Sequence, residues 1–209
     1  RQYTLPHPVD LPNGSVTQTP LYDERSLDCE RTALYENGNW GVPSQPMIAS
    51  GYDVANNNQI THTLTFKAFD SLPAGYLRVL ASDRDGTPQY LGEAGIADTA
   101  KGQSATVTLG NAFDLTAKRE RTAFSVDRAN RHMDASFKIT LSNAGDAPRV
   151  VTVREHPNRW HEWQLTSSSI KPSKQTPDTL DFKINVPSNG TATLEYSVRY
   201  HWSPDITPQ

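Results

Sequence analysis

A chain of 209 residues in which 20 Lys and Arg are interspersed with 23 Asp and Glu carries a formal charge of -3 and offers no basic footprint for a polyanion, so nucleic acid is not an expected partner. A hydrophobic fraction of 35% and a mean hydropathy of -0.63 suit thin β-sheets that each expose one face, and the length allows one large β domain or two of about 100 residues. The single cysteine, Cys29, excludes a disulfide within the chain, and no apolar run approaches the ~18 residues of a membrane span.

Taken in order, Tyr3 and Leu5 alternate with polar residues, and Val9-Asp10-Leu11 runs into the turn Pro12-Asn13-Gly14. This predicts a strand and a hairpin whose return strand is Val16 to Tyr22. Leu27, Cys29, Arg31, Ala33 and Tyr35 keep a period of two until Glu36-Asn37-Gly38-Asn39 stops it, so Cys29 reads as a small buried residue and not as a nucleophile. Trp40 to Met47 contains Pro43 and Pro46 and reads as a loop. The clearest strand of the first half is Gln59 to Lys67, with Ile60, His62, Leu64 and Phe66 on one face. Burial of Leu64 and Phe66 contributes roughly 1.5 to 3 kcal/mol each. His62 has no second metal ligand at a useful spacing and reads as a partly buried, hydrogen-bonded histidine.

Tyr76 to Ser82, the turn Asp83-Arg84-Asp85-Gly86 and Gln89 to Gly92 form a predicted hairpin. Asp83, Asp85 and Glu93 lack the spaced oxygen ligands of a calcium loop. After the strand Ala105 to Leu109, Gly110-Asn111 marks a boundary between halves 1–110 and 111–209, which pack directly because no linker composition separates them. The second half predicts strands at Ala112 to Val126, His132 to Ser142, Arg149 to Glu155, Glu162 to Ser167, Ile170 to Lys174, Thr179 to Val186 and Thr191 to Trp202. Lys118-Arg119-Glu120-Arg121 is expected to be a solvated edge whose members point alternately to the two faces. The expected fold is therefore all-β, two closely packed antiparallel β-sandwich-like halves, the second immunoglobulin-like.

No nucleophile elbow, phosphate-binding glycine loop or His-Glu-x-x-His pair is present, and the expectation is a non-enzyme needing no cofactor and no metal. One constellation stands out, Glu155 to Trp163, where a β-run ends in Pro157. There His156 and His161 with Glu155 or Glu162 offer metal-ligating types, and Trp160 with Trp163 offers an aromatic platform for a sugar ring. Trp163 is expected in the core, with Trp160 and His161 at the rim, where Tyr200, His201 and Trp202 could join them. The candidate binding residues are His156, Trp160, His161, Trp163 and Trp202, although packing is the favoured explanation for them.

The series Tyr3-Thr4-Leu5-Pro6, Val9 to Gly14, Leu72-Pro73-Ala74-Gly75 with Leu77-Arg78-Val79, Leu91-Gly92-Glu93 with Ile96, Gly110-x-x-Phe113-Asp114, Val153-x-Glu155-x-Pro157 and Leu194-x-Tyr196-x-Val198 resembles the C-terminal domain of bacterial mucoidy inhibitor A-like proteins. The resemblance spans most of the chain, and it rests on turn and core patterns. It implies the C-terminal part of a longer cell-envelope or periplasmic protein, a structural or protein-interaction module. The expected partner is another envelope protein or the preceding N-terminal domain, with a glycan bound by the rim tryptophans as the alternative. The family supplies no functional residue to carry over.

Overall fold

A computed structural model of the chain describes residues 4–37, 41–54, 57–82 and 85–209. Tyr3, Gly38 to Trp40, and Asp83 with Arg84, on which parts of the expected turns and first strand fall, lie outside these residues. The protein is all-β, and no helix occurs among the described residues. Its strands are β1 (Cys29–Asn37), β2 (Gln59–Lys67), β3 (Gly75–Ser82), β4 (Pro88–Ile96), β5 (Ser104–Asp127), β6 (His132–Asn143), β7 (Arg149–Glu155), β8 (Trp163–Ser168), β9 (Lys174–Gln175), β10 (Leu180–Val186) and β11 (Gly190–His201).

Nine strands form one sheet in the order β8-β11-β6-β5-β2-β1-β7-β10-β9, and β3 and β4 form a separate pair. The long strand β5 joins the two halves. Its residues from Leu115 onward pair with β6, and those from Ser104 to Thr116 pair with β2. Within the stretch paired to β2 the register slips, so that Leu109 is an extra residue opposite the His62–Thr63 step and Gly110 takes a φ of 131°. Such a bulge bends a strand, and only glycine adopts that φ without strain. The bend lets the sheet fold over on itself, and the Phe182 ring of β10 comes within 5.8 Å of the Tyr196 ring of β11 across the interior.

Period-two patterning decides which side chains enter that interior. Met133, Ala135, Phe137, Ile139 and Leu141 of β6 and Leu194, Tyr196, Val198 and Tyr200 of β11 face Tyr35, Val151, Val153, Phe182, Ile184 and Val186 from the other layer. Val151 and Val153 are fully buried, whereas Val150 is 56% exposed, which settles the phase of β7. One pairing departs from the antiparallel expectation. β1 runs parallel to β7 from Ala33↔Val151 to Asn37↔Glu155, which inserts a strand of the first half into the sandwich of the second.

In the first half, the β3–β4 pair packs Leu77 and Val79 with Ala94 against Leu64, Val107 and Leu109, and Ile96 joins Leu72, Ala68 and Ala105. Leu64 is buried and Phe66 half-buried, as the alternation of β2 predicts. His62 is half-buried, and burial, reinforced by Arg31, holds its pKa below the usual imidazole value. Two expectations are corrected. Residues 4–28 contain the predicted turn, in which the Ser15 amide donates to the Pro12 carbonyl and Gly14 takes a φ of 77°, but no strand ladder flanks it. Pro6, Pro8, Pro12 and Pro20 remove the amide donors a ladder needs. Cys29 is exposed, because β1 gains its second neighbour only from Ala33 onward and its first residues lie outside the sandwich.

Candidate functional site: a sealed ionic knot beside a histidine rim

Strand β7 carries Val151, Val153 and Glu155 on one face, so the alternation that buries the valines also drives the Glu155 carboxylate inward. On β5 the same logic follows Leu115 and Ala117 with Arg119. The two charges meet: Arg119 Nε donates to Glu155 Oε2 at 2.9 Å, and its Nη1 and Nη2 donate to the backbone carbonyl and Oδ1 of Asp53 at 3.0 and 3.3 Å. The Tyr196 hydroxyl donates to the same Glu155 oxygen at 2.5 Å, and the Arg119 guanidinium lies 3.9 Å from the centre of the Phe137 ring. The side chains of Arg119, Asp53 and Glu155 are only 3%, 2% and 1% exposed. The expectation that residues 118–121 form a solvated edge is thus corrected. Lys118 and Glu120 pair outside at 2.9 Å, while Arg119 sits in the core with two acidic partners from distant segments.

A second arginine extends the knot. Arg159, fully buried, donates through Nη1 to the carbonyls of Met47 and Ala49 and through Nη2 to that of Tyr52, and its guanidinium lies 4.1 Å from the Phe124 ring centre. Arg121 also donates to the Tyr52 carbonyl, at 3.1 Å. The segment from Met47 to Asp53 has no ladder for its carbonyls, and three arginines supply the donors that its backbone needs. The chain end fixes the same segment from the other side, since the Ile48 amide donates to the Gln209 carbonyl and the Gln209 amide to that of Pro46.

Burial dominates the electrostatics. It raises the Glu155 and Asp53 carboxyls above their ordinary values, with Arg119 opposing the shift in each case. Glu155 Oε1 accepts no hydrogen bond among the described residues, which leaves half of that carboxylate without compensation for lost water. Burial works against the charge of Arg119, but Glu155, Tyr196 and Asp53 together hold it protonated, with its pKa raised. Burial lowers the pKa of Arg159. The Tyr196 hydroxyl is pushed well above its usual value by burial and then by Glu155. Two carboxylates, two arginines and a tyrosine are groups that acid–base chemistry uses, but in this packing no substrate can reach them. What they do is join β5, β7, β11 and the 47–53 segment.

The residues singled out from sequence lie around this knot in differing states. His156 Nε2 is 2.8 Å from Glu36 Oε1 and half-buried, and that hydrogen bond is the main cause holding Glu36 below the usual carboxylate range. Trp160, expected at the rim, is 4% exposed and belongs to the main core, as does Trp202 at 4%. The aromatic face of Trp160 that could have met a sugar is taken up by packing, and its other neighbour is His161, with ring centres 3.9 Å apart. Trp163 is half-buried against the core, and its indole donates to the Pro177 carbonyl at 2.7 Å. His161 stays exposed, and Glu162 lies between it and His201, with Nε2 to carboxylate distances of 3.6 and 3.1 Å. The structure therefore joins His161, Glu162 and His201 at one end of the sandwich and separates His156 from them by engaging it with β1. Among the described residues no group of three or more His, Cys, Asp or Glu is placed to hold a metal ion.

Asp53, Arg119 and Arg159 were not singled out by sequence reasoning. For Arg119 a signal existed, since its parity with Leu115 and Ala117 places it on the inward face of β5. Asp53 and Arg159 lie in irregular segments, where no periodicity reports direction. No known protein family matches the chain, and no curated protein and no solved structure gives a match.

Proposed function

We propose that the chain is a protein-interaction module, one that binds and does not catalyse, and that it contacts its partner through the outer face of the β3–β4 hairpin. One observation carries this reading. Tyr76, Leu80 and Tyr90 are 77%, 41% and 62% exposed, and they share the face of the hairpin turned away from the core. Leu80 is directly opposite Tyr90, and Tyr76 lies four residues from Leu80 on the same side of β3. Among the described residues between them the charges are Arg78 and Glu93, which neutralise each other at 3.1 Å. Tyrosines around an aliphatic centre, with a paired charge, make a surface that gains from being covered, and tyrosine is enriched where proteins meet. β3 pairs with β4 alone, so a partner strand could also add along its outer edge.

We place that partner in the cell envelope, as another protein or as the N-terminal domain of the same one, on the turn and core patterns read from the sequence alone, since no family match accompanies them. Capture from native envelope by the intact protein and by its Tyr76→Ser/Leu80→Ser/Tyr90→Ser variant tests the reading. A protein co-purifying with the wild type and lost from the variant is the expected result, and undiminished capture by the variant would overturn it.

A further inference from the structure

At the end of the sandwich remote from the hairpin, Arg128 and Arg131 of the β5–β6 turn and Trp202, Pro204, Ile206 and Pro208 of the segment after β11 line an open groove of about 260 Å³. The two sides are tied together, because the Trp202 amide donates to the Arg131 carbonyl at 3.1 Å. The turn is fixed from within as well: Asp127 accepts from the Asn130 amide and side-chain nitrogen at 2.9 and 2.8 Å. Arg131 holds a φ of 53°, left-handed for a residue with a side chain, which sets the direction in which its guanidinium leaves the backbone.

The guanidinia of Arg128 and Arg131 have no acceptor among the described residues. Elsewhere on the surface Arg78, Arg149, Arg154 and Arg199 each have a carboxylate partner, whereas Arg25, over the Phe69 ring, and Arg31 have none among the described residues. The acids nearest this groove in sequence, Asp127 and Asp205, accept hydrogen bonds from Asn130 and Ser203, and among the described residues neither forms an ion pair with Arg128 or Arg131. A chain with a net charge of -3 thus directs two unpaired cations into one concavity. The other side of the groove mixes Ile206, which packs on the main core, and Pro204 and Pro208, which offer no amide hydrogen, with the polar Thr207. The planar fork of arginine donors matches an oxyanion, and two such forks side by side match it better than either alone. The volume is slightly below the ~300 to 1,000 Å³ of drug-sized pockets, which suits one anionic group with a short hydrocarbon body.

We propose that this groove is a binding site for a small organic oxyanion, a carboxylate or phosphate held by Arg128 and Arg131 with its apolar part against Pro204, Ile206 and Pro208. The site is independent of the hairpin face, and either could fail without the other. Benzoate and phenyl phosphate, with benzyl alcohol as the neutral control, serve as probes in a titration followed by the indole resonance of Trp202 and the Nε resonances of the two arginines. Saturable shifts with at least one anion and none with the alcohol are expected, and the tighter of the two anions identifies the oxyanion class. In Arg128→Gln/Arg131→Asn, where asparagine tolerates the left-handed turn, binding should weaken by about tenfold or more while the unfolding midpoint stays at the wild-type value. Absence of saturation with both anions, equal binding of the alcohol, or a double variant that binds as the wild type would each overturn the proposal.

Discussion

From the paired strands β6 and β11, His132, Asp134, Ser136, Lys138 and Thr140 point outward opposite Thr193, Glu195, Ser197, Arg199 and His201, whereas from β3 and β4 the outward residues are Tyr76, Leu80 and Tyr90 around one Arg78–Glu93 pair. Both pairs alternate with a period of two, and both bury one face. On β6–β11 the inner face holds Phe137 stacked on Tyr196 at 5.2 Å, with Arg119 above the Phe137 ring, and on β3–β4 it holds Leu77, Val79, Ala81, Ala94 and Ile96. The first pair keeps its own charges on the outer face in water and packs its aromatic inner face against the buried Arg119 of β5. The second has an aliphatic inside and an apolar outside. Charge and exposure thus part company in this molecule: its densest charges tie the sandwich together, while the outer face of β3–β4, the proposed contact surface, is nearly neutral.

The contrast can be broken first at the knot. Arg119→Ala leaves Glu155 and Asp53 buried without their cation and is expected to lower stability by about 3 to 5 kcal/mol, read from urea unfolding. A loss below about 1 kcal/mol would mean that the knot is no stronger than a surface pair. Phe137→Ala should cost a similar amount, about 3 to 5 kcal/mol, because it removes both core volume and the ring beneath Arg119. Leu77→Ala, on the half-buried inner face of the hairpin, should cost less, about 1 to 2 kcal/mol, and an effect as large as that of Phe137→Ala would show that both halves share one equally tight core. The single outer-face substitutions Tyr76→Ser and Tyr90→Ser should each change stability by no more than about 0.5 kcal/mol.

The smallest expected effects are in pH dependence, and their signs differ between knot and rim. Glu36 is held below its ordinary value by His156, so its contribution to stability is present above the unfolded carboxylate pKa and is lost as pH falls through the lowered one. Glu36→Gln should flatten the acid side of the stability profile. Glu155, raised by burial, acts oppositely: its contribution is complete below the unfolded pKa and is lost as pH rises through the raised one. In Glu155→Gln the decline of stability with rising pH above the ordinary carboxylate range should be shallower than in the wild type, and a steeper decline would contradict the burial assigned to this group.

The strands of the second half were legible in the sequence because their alternation is uninterrupted and their turns carry glycine or asparagine, so Met133 to Leu141 and Leu194 to Tyr200 announce one buried face each. Long-range choices were not. Nothing local to Ala33–Asn37 states that it will pair in parallel with Val151–Glu155, and without that pairing the exposure of Cys29 and the meeting of Glu155 with Arg119 cannot be read. The rim was legible in part. His161 is exposed as its polar neighbours suggest, but Trp160 was misplaced because the path of the chain after Pro157 turns inward to seat Arg159. Asp53 and Arg159 lie in segments without periodicity, and their burial follows from the carbonyls of residues 47–52 needing donors that only the folded chain reveals.

The claim that the contact surface is the outer face of β3–β4, and not that of β6–β11, is tested most directly by site-specific photo-cross-linking in native envelope. A photoreactive residue in place of Tyr90 should trap a discrete partner protein, while the same residue in place of Thr140, on the outer face of β6, should trap none. Cross-linking from position 140 but not from position 90 would contradict the assignment.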